Sequence, residues 1–363
     1  MRLRHLVLPL VACLLIPAAM AAEPSSSGGA RVKTVSHFEP RSETWDTYME
    51  CLHAALQCLG RDVSDGWLYG VSGHAFGLNI HKQLCPSGPH VWSGWGSLQG
   101  REALLGLKIE RVGPWYKGHD DGYEAHKQLA WGRAQAALDA GAPVIGYDLS
   151  WAEFYVVNGY DDTGYYFWNT NMGGLKQEGP VPWGKYGDGG GVHMIYLQAV
   201  TTRKPTGTVR RAVKTALQWA VDFGARGDAD DPMRSPDYAS GLAAYDQWIK
   251  ALDDPKAYEG HAIGAMYNAH VWRECRHHAV AFLQEAKERL GEDELSPLFD
   301  DAIKHYQRVE RKLGIVCDQF WFESPDAKDP QPERQQRAQR ALRDAMRAEQ
   351  AGLEALARIA AAL

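Results

Sequence analysis

The chain has 363 residues, 39 basic and 45 acidic side chains and a net charge of −6, with 45% hydrophobic and 23% charged residues. Those fractions are globular and exclude a disordered, collagen-like or many-span membrane protein. The acidic balance argues against a nucleic-acid binder, which needs a basic face to displace counterions.

The first segment reads as a signal peptide over residues 1–21. Arg2 and Arg4 give a basic start, Leu6 to Pro17 an apolar stretch, and Ala19-Met20-Ala21 a small-residue cleavage site. Export to the periplasm or the cell exterior is therefore expected. Leu10-Val11-Ala12-Cys13 also resembles a lipobox, which makes lipid anchoring at Cys13 a minor alternative. Against it, Leu14, Leu15 and Ile16 continue the apolar run where a polar tether normally follows. No other stretch is long enough to span a bilayer. Residues 22–40, polar and Gly/Ser-rich, read as a flexible leader.

Residues 41–204 are expected to form a first domain of the α+β class. Thr47-x-x-Glu50 reads as a capping box opening a helix, which places Cys51 at about its fourth position. Leu52, Ala55, Leu56 and Leu59 make one apolar face, and Gly60 ends it. Gly70, Gly73 and Gly77 in the stretch 67–81 point to close backbone approach rather than a long helix. A second amphipathic helix runs from Tyr123 to Ala140. Strands follow over 143–149, 153–160 and 165–169, with Asp161-Asp162-Thr163-Gly164 as a turn and a fourth strand over 193–200. Residues 205–363 are expected to form an α-helical domain, with helices over 209–224, 239–253, 262–290, 295–313 and 332–361. The last helix carries Leu342, Met346, Leu353 and Leu356 on one stripe, to pack along its own bundle or along a second copy in a homo-oligomer.

Beyond Cys13, five cysteines remain: Cys51, Cys58, Cys85, Cys275 and Cys317. In an oxidising compartment Cys58 can pair with Cys85 and Cys275 with Cys317, leaving Cys51 as a free thiol. The alternative is that they are buried small apolar residues.

A cysteine inside a helix start, the segment Tyr69-Gly70-Val71-Ser72-Gly73-His74-Ala75-Phe76-Gly77, and the strand pair EFYVVNGYDDTGYYFWN over 153–169 resemble papain-like cysteine peptidases of the bacteriocin-processing kind. They resemble more closely the relatives typified by the N-terminal domain of butirosin-biosynthesis protein H. The helical stretch GLAAYDQWIKAL, residues 241–252, fits the same pattern. The resemblance implies a papain-like N-terminal domain, a thiol nucleophile and an acyl-thioester intermediate, in an amide hydrolase or acyltransferase. By position, Cys51 would be the nucleophile. The family's strand histidine falls on Glu153, and the orienting position falls near Asn169. No cofactor is implied.

Glu153 alters the chemistry. A thiol is mostly protonated at neutral pH, and an imidazolium neighbour favours the thiolate whereas a carboxylate disfavours it. His74, in the glycine-rich segment, is the preferred substitute base, with His53 and His193 as others. The rival function is a non-catalytic envelope protein that holds a peptide, acyl or glycan group in a cleft lined by aromatics such as Trp92, Trp95, Trp115, Trp151, Trp168 and Trp183. His270, Glu274, His277 and His278 share one helix but lack further ligands for zinc, and GDGGG at 187–191 lacks the strand-then-helix context of a phosphate loop.

Overall fold

In the computed structural model, residues 44–91, 100–116, 122–169, 176–227, 235–253, 262–320 and 332–363 are described. The signal peptide with Cys13, the leader, Trp92, Trp95 and the side chain of Asn169 lie outside the described residues. The protein is mixed α and β, with an antiparallel sheet and a helical C-terminal region. In chain order the elements are α1 (Thr47–Cys58), α2 (Asp65–Ser72), β1 (Asn79–His81), β2 (Leu107–Tyr116), α3 (Gly122–Asp139), β3 (Val144–Tyr147), β4 (Phe154–Tyr160), β5 (Gly164–Asn169), β6 (Lys176–Pro182) and β7 (Met194–Thr202). Then come α4 (Val209–Arg226), β8 (Tyr238–Ser240), α5 (Ala243–Asp253), α6 (Ala262–Leu290), α7 (Ser296–Cys317) and α8 (Pro332–Ala362).

Two compact units result. Of the described residues, the sheet unit holds 44–62 and those of Leu107–Arg203; the helical unit holds those of Val63–Gly106 and Lys204–Leu363. Residues 63–106 thus group with the C-terminal helices, not with the rest of 41–204 as the sequence suggested. Two contacts explain why. α2 packs along α6, and β1 pairs with β8 in a two-stranded antiparallel ribbon, Asn79 opposite Ser240 and His81 opposite Tyr238.

The six-stranded sheet has the order β2-β7-β3-β4-β5-β6 with antiparallel neighbours. Alternation along the strands splits their side chains between two layers. Tyr155, Val157, Ile195 and Leu197 join Ala130, Ala134 and Leu138 of α3 in one core. Phe154 turns the other way, its ring 5.0 Å from that of Tyr48 on α1. Each buried aliphatic or aromatic side chain contributes about 1.5–3 kcal/mol. Both edges, β2 and β6, were absent from the sequence reading. β2 carries exposed Lys108 and Glu110 joined by a 3.0 Å ion pair, and β6 contains Pro180 and Pro182. Charge and proline are what edge strands use against unwanted pairing, and they also hide the strand pattern.

In the helical unit, α8 packs on α4, α5 and α7. Leu342, Leu353 and Leu356 are buried there and Met346 is half-buried, so most of the stripe packs within its own unit. A buried ion pair joins Arg276 of α6 to Glu349 of α8 at 2.7 Å. Arg276 also donates to the carbonyls of Ala75 (3.0 Å) and Gly77 (2.7 Å), and Tyr245 of α5 donates to Glu349 at 3.0 Å.

The five cysteines of the described residues are all free thiols, which corrects the expected pairings. For Cys275 and Cys317 the reason is axial offset. α6 and α7 are joined by a short turn, from which Cys275 lies about 22 Å along one helix and Cys317 about 31 Å along the other. The offset of about 9 Å exceeds the reach of a disulfide.

Candidate functional site

The thiol of the sheet unit sits on α1. Asp46, not Thr47, is the N-cap: its Oδ1 accepts from the Met49 N–H at 3.1 Å. The N-cap therefore lies one residue earlier than expected, and Cys51 becomes the fifth helical residue. Its own N–H lies past the four unpaired ones at the helix start, where help to a thiolate has faded. Relieved of capping, the Thr47 hydroxyl donates to Glu153 Oε2 at 2.6 Å. Thr47 and Cys51 are spaced i, i+4, so they are neighbours on one helix face. The Glu153 carboxylate is thereby fixed one turn before Cys51. Cys51 itself is 0% exposed.

A second set of bonds sets α1 on the sheet. The Tyr48 hydroxyl donates to Gln198 Oε1 at 3.1 Å, and Gln198 Nε2 donates to the Tyr196 hydroxyl at 2.6 Å. Phe154 lies among Tyr48, Tyr147 and Tyr196, with ring centroids 5.0, 4.9 and 6.2 Å away.

Glu153 ends a tightly bonded loop over 148–153. The Asp148 N–H reaches the Glu153 carbonyl at 3.2 Å, and the Glu153 N–H reaches the Trp151 carbonyl at 2.8 Å. The Trp151 N–H donates to the Tyr155 hydroxyl at 2.8 Å, and the Tyr147 hydroxyl to the Ala152 carbonyl at 2.9 Å. Asn169 closes β5 opposite Tyr155, on the strand beside the one Glu153 leads into.

His74 lies in the helical unit, in a single 3-10 turn, His74–Phe76, after Gly73. Its Nδ1 meets Ser72 Oγ at 3.2 Å. Burial, then the charges of Arg101 and His90, lower its pKa to about 3, so the ring is neutral at ordinary pH and a weak base. Arg101 donates twice to the Ser72 carbonyl, at 3.0 and 2.6 Å, and lies 4.4 Å over the Trp219 ring. The glycines around His74 serve helix packing. A Cβ on Gly70 would fall 2.0 Å from the Phe282 ring, and one on Gly66 3.0 Å from Ala281.

The other histidines have their own surroundings. His193 has φ +57°, a half-exposed side chain, and Nδ1 3.7 Å from Asp188 Oδ1. On α6, Glu274 accepts from Tyr69 at 2.5 Å, the His278 ring lies tilted 4.1 Å from the Tyr69 ring, and His277 meets Glu310 at 3.0 Å. Burial, reinforced by Arg273 and opposed by Asp318, lowers His270 to about 4. Asp161 makes a local turn, accepting from the N–H groups of Thr163 (2.7 Å) and Gly164 (3.1 Å). Among the described residues, no three His, Cys, Asp or Glu side chains are placed to hold a metal ion.

Trp131 and Trp183, partly buried, pack against the α3 core and stack at 6.5 Å, and Trp115 lies 4.0 Å from the His126 ring. Trp151, by contrast, is 49% exposed at the crown of the 148–153 loop.

Sequence reasoning missed Thr47 as a Glu153 partner, Gln198 as the α1 anchor and Asp148 as the loop anchor. Two signals were available: Gln198 is a lone amide inside the apolar run MIYLQAV, and Asp148 directly follows a fully buried strand. No protein-family model matches the chain, and no curated protein matches it.

Proposed function

We propose that this chain is an exported protein built on the papain-like, butirosin-H type of domain, in which thiol catalysis is silent. It would hold a peptide, acyl or glycan group without cleaving or transferring it. The observation that carries this reading is a fully buried Cys51 one helical turn from Thr47, whose hydroxyl holds the Glu153 carboxylate. A negative charge there opposes formation of the thiolate that amide hydrolysis or acyl transfer requires. His74, the preferred substitute base, is neutral and buried in its own unit.

A second reading keeps activity, with Glu153 as general base taking the Cys51 proton before the sulfur attacks an acyl carbon. The 2.6 Å Thr47 bond favours it, because it fixes the carboxylate in one place.

Alkylation by iodoacetamide between about pH 5 and 9, with the label located by mass spectrometry, separates the two readings. Silence predicts that Cys51 in the folded protein stays unlabelled or reacts with a midpoint above about 8.5. Rapid labelling of Cys51 at about pH 6 overturns it. Glu153→His, which restores the family's imidazole, is expected to move the midpoint downward.

A further inference from the structure

Asp148 is 0% exposed and holds φ +62°, a left-handed conformation uncommon for a side-chain-bearing residue. Its Oδ1 accepts from the Gly190 N–H at 2.5 Å and its Oδ2 from the Met194 N–H at 3.3 Å. The 148–153 loop is thereby joined to the 187–194 loop, whose His193 is also left-handed. The two backbones touch. A Cβ on Gly189 would fall 2.3 Å from the Leu149 carbonyl, and one on Gly190 2.3 Å from both the Ala152 nitrogen and Asp148 Oδ1. That contact is what the GDGGG string serves.

Among the described residues, the groups around this carboxyl offer it no counter-charge. From the 187–194 loop comes Asp188, a like charge. From its own strand comes Tyr147, from α3 Tyr123, and from the turn after β6 Tyr186. The Lys127 ammonium of α3 contacts Asp188 (3.3 Å), the Gly184 carbonyl (2.9 Å) and Glu124 (3.4 Å) instead. The His193 ring lies against Asp188 too. Among the described residues, the backbone N–H groups of Gly190, His193 and Met194 are what a charge on this buried carboxyl would have to stabilise it.

We propose that Asp148 is a proton-linked latch: while protonated it keeps the 187–194 loop seated on the 148–153 loop, and its ionisation drives the two apart. The step is O–H heterolysis at the carboxyl, the proton passing to solvent and the carboxylate gaining water in the opened state. Burial raises the Asp148 pKa to about 7 against the bonds from Met194, Gly190 and His193, with Asp188 adding to the rise. Once opened to water the group returns to the ordinary range near 4. Opening therefore releases a proton, and it is favoured progressively as pH rises from about 4 to about 7. The loop that presents Glu153 to Thr47 loosens on the alkaline side. This linkage stands apart from whether Cys51 reacts.

Amide hydrogen exchange on the full chain tests it. Base-catalysed exchange alone accelerates about tenfold per pH unit, and proton-linked opening multiplies this by up to about tenfold more per unit. At the Gly190 and Met194 amides we expect about hundredfold per unit between pH 4 and 7, falling to about tenfold above 7, while Gly291 and Leu295, in the turn between α6 and α7 that opens without exposing Asp148, keep the tenfold slope. Asp148→Asn should show the tenfold slope throughout at all four amides. A constant tenfold slope at Gly190 and Met194 in the unsubstituted protein overturns the proposal, whether or not the variant folds. So does a steep slope that survives in Asp148→Asn.

Discussion

Tyr48 of α1 and Gln198 of β7 meet through a buried hydroxyl–amide hydrogen bond of 3.1 Å, and the far side of the same amide holds Tyr196. Together with the Thr47–Glu153 bond, this contact holds the rotation of α1 about its axis and hence the direction of Cys51. Gln198→Leu keeps the volume and removes both bonds. The expected cost is about 1–3 kcal/mol, because two buried hydroxyls lose this partner. Urea denaturation measures it. An unchanged midpoint would show that the amide does not anchor the helix.

The sheet centre was legible in the sequence because β3, β4, β5 and β7 are apolar runs separated by turn residues, and Asp161 sits where an Asx turn needs it. The long C-terminal helices were legible by their stripes. The edges were not, since β2 and β6 hide behind charge and proline. Nor was the placement of residues 63–106, which depends on α2 meeting α6 across about two hundred residues of chain. At the site, Cys51 and Glu153 were picked out by resemblance, but their relation hinged on a one-residue shift of the cap from Thr47 to Asp46. For His74 the neighbouring glycines signal close approach without saying what approaches. What approaches is Phe282 and Trp219.

That glycine bed yields a packing prediction. A methyl at Gly70 would penetrate the Phe282 ring, 2.0 Å away, so Gly70→Ala must separate α2 from α6. Overpacking of this kind costs about 1–3 kcal/mol. Phe282→Leu in the same chain should recover part of the loss, as expected of neighbours in contact. Thermal melts of the two single variants and the double variant test the coupling; strictly additive losses would contradict it.

The Arg276–Glu349 pair should behave asymmetrically. Glu349→Ala leaves a guanidinium buried without its carboxylate, at a cost of about 3–5 kcal/mol. Arg276→Met with Glu349→Leu removes both charges and should retain much of the stability. A double variant as unstable as Glu349→Ala would mean that the bonds from Arg276 to the Ala75 and Gly77 carbonyls, not the ion pair, hold the segment.

The two units should respond to acid in opposite senses. In the sheet unit, Asp148 has its pKa raised from 3.8 to about 7, first by burial. The folded state then holds the proton more tightly than the unfolded chain. Its contribution is fully present below about 3.8 and lost as pH rises toward 7, so going from pH 7 to 5 stabilises this unit by about 2–3 kcal/mol. In the helical unit, burial lowers His74 from 6.5 to about 3 and His270 from 6.5 to about 4. There the unfolded chain binds the protons, and stability present above 6.5 falls as pH drops, by about 2 kcal/mol per histidine at pH 5. Exchange-detected urea titrations at pH 7 and 5, following β4 for one unit and α8 for the other, should show midpoints moving in opposite directions. Asp148→Asn should abolish the sheet-unit shift alone, and His74→Gln should halve the helical one. Midpoints that move together would mean that neither buried group governs the acid response of its unit.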